Sequence, residues 1–438
     1  MASTYLSRTL GTSTNTYKGT VSVWLKRSGL NSDQVIYGNY TSGTQRGKLV
    51  IAGDGKLMYY QNDGGSNTIK LETNRLFRDV GAFYHIVLSV DTTQATEADR
   101  VKLYINGTQE TSFATATYPS QNLIFYLNAN SVLNYIGQEG NSSDYWDGLM
   151  SYFSVVDGTA YDASYFGETN AATGIWTIKT SPSVTYGTNG FFLKMDTSSP
   201  GSDTSGNNNT FTASGTPTLA QDNASNNFPT LNPLVPGAKT PIYGNLHIEA
   251  LYASWKCNTA TFGLAKGKWY YEFKLNQLTN YAQVGIVSEY GMELANDFWG
   301  SQPKGYTYNS GNGQYYNNNS GNSYGNSYTA SNYMACAMDL DNNKLYFAKD
   351  NVWQNSGDPT SGSTGTGAIS ISQQAGYDFW LPAFSINYCG VDANFGNGYF
   401  GTSVAGTNQD ANGIGKFKYT PPSGYFSINT KNLNTYGG

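Results

Sequence analysis

The 438-residue chain is poor in charge: Asp, Glu, Lys and Arg make up 13% of it, against about 25% in an average globular protein. Surfaces made of Lys/Glu-rich helices are thereby excluded. Neither sign dominates. With 25 basic and 30 acidic residues, a net charge of -5 and a pI of ≈ 5.1, the chain lacks the basic stripe that neutralises phosphates, and nucleic acid is not an expected partner. Cys257, Cys336 and Cys389 are scattered singly, which rules out a complete disulfide framework and the CxxC pairs of structural zinc; free, mostly buried thiols are expected. No run of about 18 apolar residues occurs, and Met1 to Leu10 has no basic stretch followed by an apolar one, so neither membrane insertion nor an export signal is expected.

Aromatic residues reach 15% and glycines number 50, so rings and turns replace helix surface and the composition is that of an all-β protein. From residue 18 to about 165 the chain reads as short alternating strands. Val21, Val23 and Leu25 share one face, as a two-residue period requires. Gly53-Asp54-Gly55 and Asn106-Gly107 mark tight hairpins because they accept positive φ angles. Only Ala160 to Glu168 suggests a short helix. Ser, Thr, Asn, Gly and Pro dominate 196–241, a stretch that reads as a connector. A second β-rich block follows, with Trp269, Tyr271, Phe273 and Leu275 alternating against Tyr270, Glu272 and Lys274. From Phe417 the chain resembles an arm: Pro421-Pro422 fixes an extended path, while Tyr419, Tyr425, Phe426 and Ile428 are too apolar to stay dissolved. The expected division is a sandwich over 1–195, the connector 196–241 partly packed on the sandwiches because Phe211 is strand-like, a second sandwich over 242–412 and an arm over 413–438 that packs on the connector, the other domain or a neighbouring subunit.

The runs GTVSVWLKRSG (19–29), FYHIVLSVD (83–91), VKLYINGTQ (101–109) and YIGQEGNSSDYWDGLMSYFSVVDGTAYDASYFGE (135–168) resemble, in order, the laminin-G/concanavalin-A-like lectin family. Tyr84 stands where that family often has Trp, and Tyr161-Asp162 replaces its helix-starting Leu-Ser, both at packing positions. GKWYYEFKL (267–275), QVGIVSE (283–289), GYTYNSGNGQYYNN (305–318), MACAMDLDNNKLYFAKDNVW (334–353) and WLPAFSINYCGVDANFG (380–396) are similar to the SPRY family. The start MASTYLSRT, the connector text SGNNNTFTASG (205–215) and NNFPTLNPL (226–234), and the tail FKYTPPSGYFSINTKNL (417–433) resemble virion proteins of tailed bacteriophages. These resemblances imply two jelly-roll-like antiparallel β-sandwiches on the virion surface, made in the host cytoplasm without a signal peptide and present in multiple copies.

Few residues look catalytic. Gly321-Asn322-Ser323-Tyr324-Gly325 fits a nucleophile elbow in letters but lies in a Tyr/Asn/Ser/Gly tract with no strand-to-helix context, and the chain has only two imidazoles, His85 and His247. Asp339, Asp341, Asn343 and Asp350 imitate a calcium loop, yet Lys344 occupies its glycine position, so a β-hairpin turn is expected. No Glu-x-Asp-x-x-Glu string of the related glucanases occurs. The laminin-G resemblance offers Asp144, Asp147, Asp157 and Asp162 as calcium ligands, since hard oxygen donors on loops suit that ion. Tyr306, Tyr308, Tyr315, Tyr316, Tyr324 and Tyr328 are the candidate ligand contacts, because Tyr among Asn, Ser and Gly gives rigid amphipathic area with adaptable hydrogen bonding. The first four read equally as core or turn positions of the SPRY-like domain; Tyr324 and Tyr328 read as an exposed loop.

The expectation is a non-enzymatic protein of the phage exterior, a tail fibre or similar appendage, that recognises a host-surface glycan or protein and contacts other virion proteins. The alternatives are a purely structural capsid decoration or fibre adaptor and, third, a glycan depolymerase.

Overall fold

The computed structural model describes residues 4–140, 143–196, 199–293 and 297–437. The chain divides into two compact units, one of Met1–Leu219 with Asn223–Ser225 and one of Ala220–Asp222 with Asn226–Gly438. The boundary falls inside the stretch expected as a connector. Phe211 is buried in the first core and Thr212–Ser214 pairs with Tyr5–Thr9, whereas Leu231 belongs to the second core. The apolar residues of that stretch therefore complete the two sandwiches.

The first unit contains an eight-stranded and a six-stranded antiparallel sheet among the described residues. Lys18–Arg27 lies inside the smaller sheet between Tyr84–Asp91 and Gly148–Asp157. Alternation sends Val21, Val23 and Leu25 inward to meet Leu49, Ile51, Leu57 and Tyr59 of the larger sheet. Both marked hairpins form. Gln45–Ile51 returns as Lys56–Asp63, and Val101–Ile105 returns as Thr108–Glu110 through Asn106 (φ 48°) and Gly107 (φ 84°), the positive pair such a two-residue turn requires. The helix expected over Ala160 to Glu168 is only the 3-10 turn Ala163–Tyr165. Asp162 caps it by accepting from Ser164 N, and Gly167–Thr169 leaves at once as a strand paired with Trp176–Ile178, whose ladder takes the backbone groups a longer helix would need.

The second unit is organised by two long strands, Lys268–Ser288 and Trp380–Asn394, paired along their length with bulges between Leu275 and Gln277 and between Leu278 and Tyr281. Bulges bend a strand. Trp269, Tyr271, Phe273 and Leu275 before the bend and Ala282, Val284 and Ile286 after it all enter one core. Asp339 pairs with Lys344 at the end of the Tyr333–Asp339 and Lys344–Lys349 hairpin, with Asn342 donating to the Asp339 carboxylate: a turn, not a calcium loop.

The expected arm is part of this unit. Phe426–Ser427 adds in parallel to Trp269–Tyr270, Ile428 enters the main core, and Phe417 and Tyr425 cover an outer sheet face of Tyr270, Ala335, Ala337, Tyr346 and Ala348. A buried carboxylate fixes it there. Glu272 accepts from Lys418 N (2.8 Å), Tyr419 N (2.8 Å), the Tyr270 hydroxyl (3.0 Å) and Asn394 Nδ2 (3.2 Å). Asp410 likewise accepts from Ser427 N, Ser427 Oγ and Asn432 Nδ2. Unpaired apolar sheet surface and orphan amides explain why the segment folds back onto its own domain.

Candidate functional site

Four of the six candidate tyrosines are core residues, which corrects the exposed-loop reading of Tyr324 and Tyr328. Tyr308 stacks on Tyr328 (5.4 Å) and on Phe347 (5.2 Å), Phe273 meets Tyr328 edge-on, and Tyr324 meets Tyr308 edge-on. Their polar atoms are satisfied inside: Tyr328 donates to Tyr308 O (2.9 Å), Tyr308 donates to Asn326 O (2.5 Å), and Tyr324 Oη accepts from Phe347 N (3.1 Å). Tyr306 packs edge-on against Trp380. In a segment without aliphatic side chains, phenol rings fill the volume and the hydroxyls find backbone partners. Tyr315 is half-buried against Tyr324; Tyr316 projects to the opposite face.

Tyr316 leads to the site that the tyrosine pattern missed. Phe298 bridges it to Trp255, with ring centroids 6.0 Å and 4.9 Å away. Trp255 is the cross-strand partner of Asn387, which on its other side faces Tyr281, so Trp255, Asn387 and Tyr281 form one row on one sheet face. Two residues along, the parallel row Cys257–Ser385–Gln283 is closed over by Trp299, whose amide donates to Ser385 Oγ. The Trp255 row is only partly covered: Tyr281 is 48% exposed, Trp255 and Asn387 are half-buried, and Tyr252, nearby in sequence, is 79% exposed. Tyr388 adjoins the row with φ 50°, a left-handed backbone angle that turns it out of the strand's regular alternation. The Tyr281 ring lies across Gly311, where an added Cβ would sit 2.3 Å from it. Amides surround the rings, with Asn280 donating to Asn387 Oδ1 (2.8 Å) and Asn312 to Tyr316 Oη (3.1 Å). Exposed Asp297 precedes Phe298, and its carboxyl is raised by desolvation. Fixed ring faces bordered by amides, with one carboxylate beside them, suit stacking on the C–H face of a sugar and hydrogen bonding to its hydroxyls. The outward direction of Tyr281 was legible, since it alternates with Ala282, Val284 and Ile286; its neighbours were not.

The four aspartates offered as calcium ligands do not assemble into a site, which corrects that expectation. Asp157 is buried and accepts from Thr14 N, Asn15 N, Asn128 Nδ2 and Asn189 N, so its lone pairs tie loops together. Asp162 caps its turn, Asp144 pairs with Lys48 Nζ (3.0 Å), and Asp147 lies beside Arg27 with its carboxyl raised by burial. Among the described residues no three His, Cys, Asp or Glu side chains converge to hold a metal.

The histidines are equally committed. His85 is buried between Trp24 and Trp176, and Trp176 Nε1 donates to its Nδ1 (3.0 Å). An indole N–H can only donate, so the ring proton sits on Nε2 and is donated to Ser22 Oγ at 2.9 Å. That tautomer cannot take a proton from Ser22. Burial also pushes His85 down to about 3. His247 Nδ1 is bonded to Asp392 Oδ1 at 2.6 Å.

Comparison with known proteins gives a class to each unit. Residues 2–163 match the family model of the concanavalin A-like lectin/glucanases superfamily, and residues 268–397 match that of the SPRY domain. The chain thus carries a concanavalin A-like and a SPRY β-sandwich domain in two parts of its length. Among solved structures it is similar to a human SPRY domain (16% identity, TM-score 0.26, covering 34% of this chain and 90% of that one). It is also similar to the SPRY domain of human HERC1 (14%, 0.29, 37% and 96%) and to the native heptameric SAP-like pentraxin of Limulus polyphemus (18%, 0.28, 36% and 71%). No curated protein sequence matches the chain.

Proposed function

We propose that this chain is a non-enzymatic recognition protein of a tailed-phage exterior, a tail fibre or similar appendage, that binds a host-surface glycan through the Trp255–Asn387–Tyr281 row. The observation that carries the reading is a partly exposed ring-and-amide row, with Tyr281 at its outer end, beside a covered continuation of the same face, since exposed aromatic surface held in place by a sheet suits a ligand. The lectin-like class of the first domain fits non-enzymatic binding by the chain as a whole. Purified protein should adsorb to host cells and block infection, and the Trp255→Ala/Tyr281→Ala variant should do neither at unchanged melting temperature. Inert wild-type protein, found by labelling over the capsid shell, would establish the decoration role instead.

A further inference from the structure

We infer that Lys274, Tyr333 and Lys418 form a second ligand site in the SPRY unit, one that takes the carboxylate of an acidic saccharide. The Lys274 ammonium lies 4.6 Å from the Tyr333 ring centroid and that of Lys418 lies 4.9 Å from the same centroid. Cation–π contact positions an ammonium but leaves its charge uncompensated. Some lysines of the chain are ion-paired, with Lys18, Lys48, Lys56, Lys70, Lys102 and Lys268 each meeting a carboxylate, while others such as Lys304 and Lys344 reach only serine hydroxyls. Among the described residues Lys274 and Lys418 meet no carboxylate, although acids surround them. Asp392 is bonded to His247, the Asp350 carboxylate accepts from Tyr333 N and Asn332 Nδ2, and Glu272 is saturated by its four donors. Two ammonium groups gathered on one ring, neither of them in an ion pair among the described residues, keep N–H donors available to an external carboxylate.

The site is rigid. Lys274 sits in the ladder as the partner of both Tyr333 and Asp392, and Lys418 is held by its own amide on Glu272. Further along the row come His247 and the half-exposed Tyr243 ring, 5.6 Å apart, while Tyr419 stands edge-on to Tyr333. Rings beside the cations favour a sugar acid over a bare inorganic anion. The saccharide part of this inference rests on the glycan reading of the Trp255 row; the charge part does not.

The test titrates wild-type protein with oligogalacturonate, with its neutral methyl ester and with inorganic phosphate. The acid is expected to bind in a salt-sensitive manner, and the ester at least about tenfold more weakly, the loss expected on removing a charged partner. Lys274→Met/Lys418→Met, which keeps both stems on the ring, should abolish that preference, whereas Trp255→Ala/Tyr281→Ala should leave it intact. Equal binding of acid and ester, an unchanged preference in the lysine variant, or full displacement by equimolar phosphate would overturn the inference. Loss of neutral-sugar binding in the Trp255 variant alone tests the Trp255 row separately.

Discussion

The two domains are both β-sandwiches, but two of their faces, that of Lys48 in the first and that of Lys274 in the second, dispose of charge in opposite ways. In the first, charges close upon one another: buried Lys48 meets Glu139 and Asp144 at 3.0 Å each, and Arg46 meets Glu139 at 3.1 Å over the Tyr60 ring. On the second, the buried acid Glu272 is used on neutral amides and a hydroxyl, and Lys274 and Lys418 beside it meet the Tyr333 ring and no carboxylate among the described residues. A face whose charges are mutually satisfied has no need of an external partner, whereas one whose acids are engaged in holding backbone retains unmatched groups.

The largest expected effect lies in the C-terminal segment. Truncation after Gly415 removes the two backbone donors of Glu272 and uncovers Tyr270 and Tyr346, so the second domain should lose its cooperative transition altogether, a cost on the order of its whole stability of 5 kcal/mol or more. Urea unfolding followed by tryptophan fluorescence and circular dichroism should show the first domain's transition unchanged. A truncated protein with both transitions intact would return the segment to the role of a separable arm.

The next effects separate the domains by pH. Burial holds His85 at about 3, far below its unfolded value of 6.5. The folded first domain therefore binds fewer protons than the unfolded chain between those values, and its stability falls as pH drops from 6.5 toward 3, by up to about 5 kcal/mol. Burial pushes Glu272 up to about 7, above its unfolded 4.5. The folded second domain binds more protons in that window and loses stability as pH rises from 4.5 to 7, by up to about 3 kcal/mol. Thermal melts across this range should show opposite slopes, with His85→Gln flattening only the first and Glu272→Gln only the second. Parallel slopes would break the comparison. The smallest effect is that of Tyr328→Phe, which deletes the bond to Tyr308 O and should cost the second domain about 1 kcal/mol in urea.

What was legible in the sequence follows from the range over which each interaction acts. The hairpins at Gly53-Asp54-Gly55 and Asn106-Gly107 were readable because turn chemistry is complete within a few residues. The tract around Tyr324 was not: its composition is that of a loop, and only Phe273 and Phe347, brought from distant strands, make it a core. Asp157 looks like an ion ligand for the same reason, since the amides of Thr14, Asn128 and Asn189 that occupy it come from three remote loops. The apolar character of the tail was visible, but its partner, the Tyr270 face, was not. Tyr281 could be read as outward from its alternation with Ala282, Val284 and Ile286, yet its alignment with Trp255 through Asn387 depends on strand register, which no local signal specifies.

Hydrogen exchange of the intact protein with and without a bound neutral oligosaccharide, chosen as the tightest binder from a host-surface panel, tests the central claim most directly. The account predicts new protection confined to residues 251–255, 280–281, 309–312 and 387–388 of the SPRY domain, with the Lys48–Glu139 face of the first domain unchanged. Protection appearing on that first-domain face, and none along the Trp255 row, would contradict it.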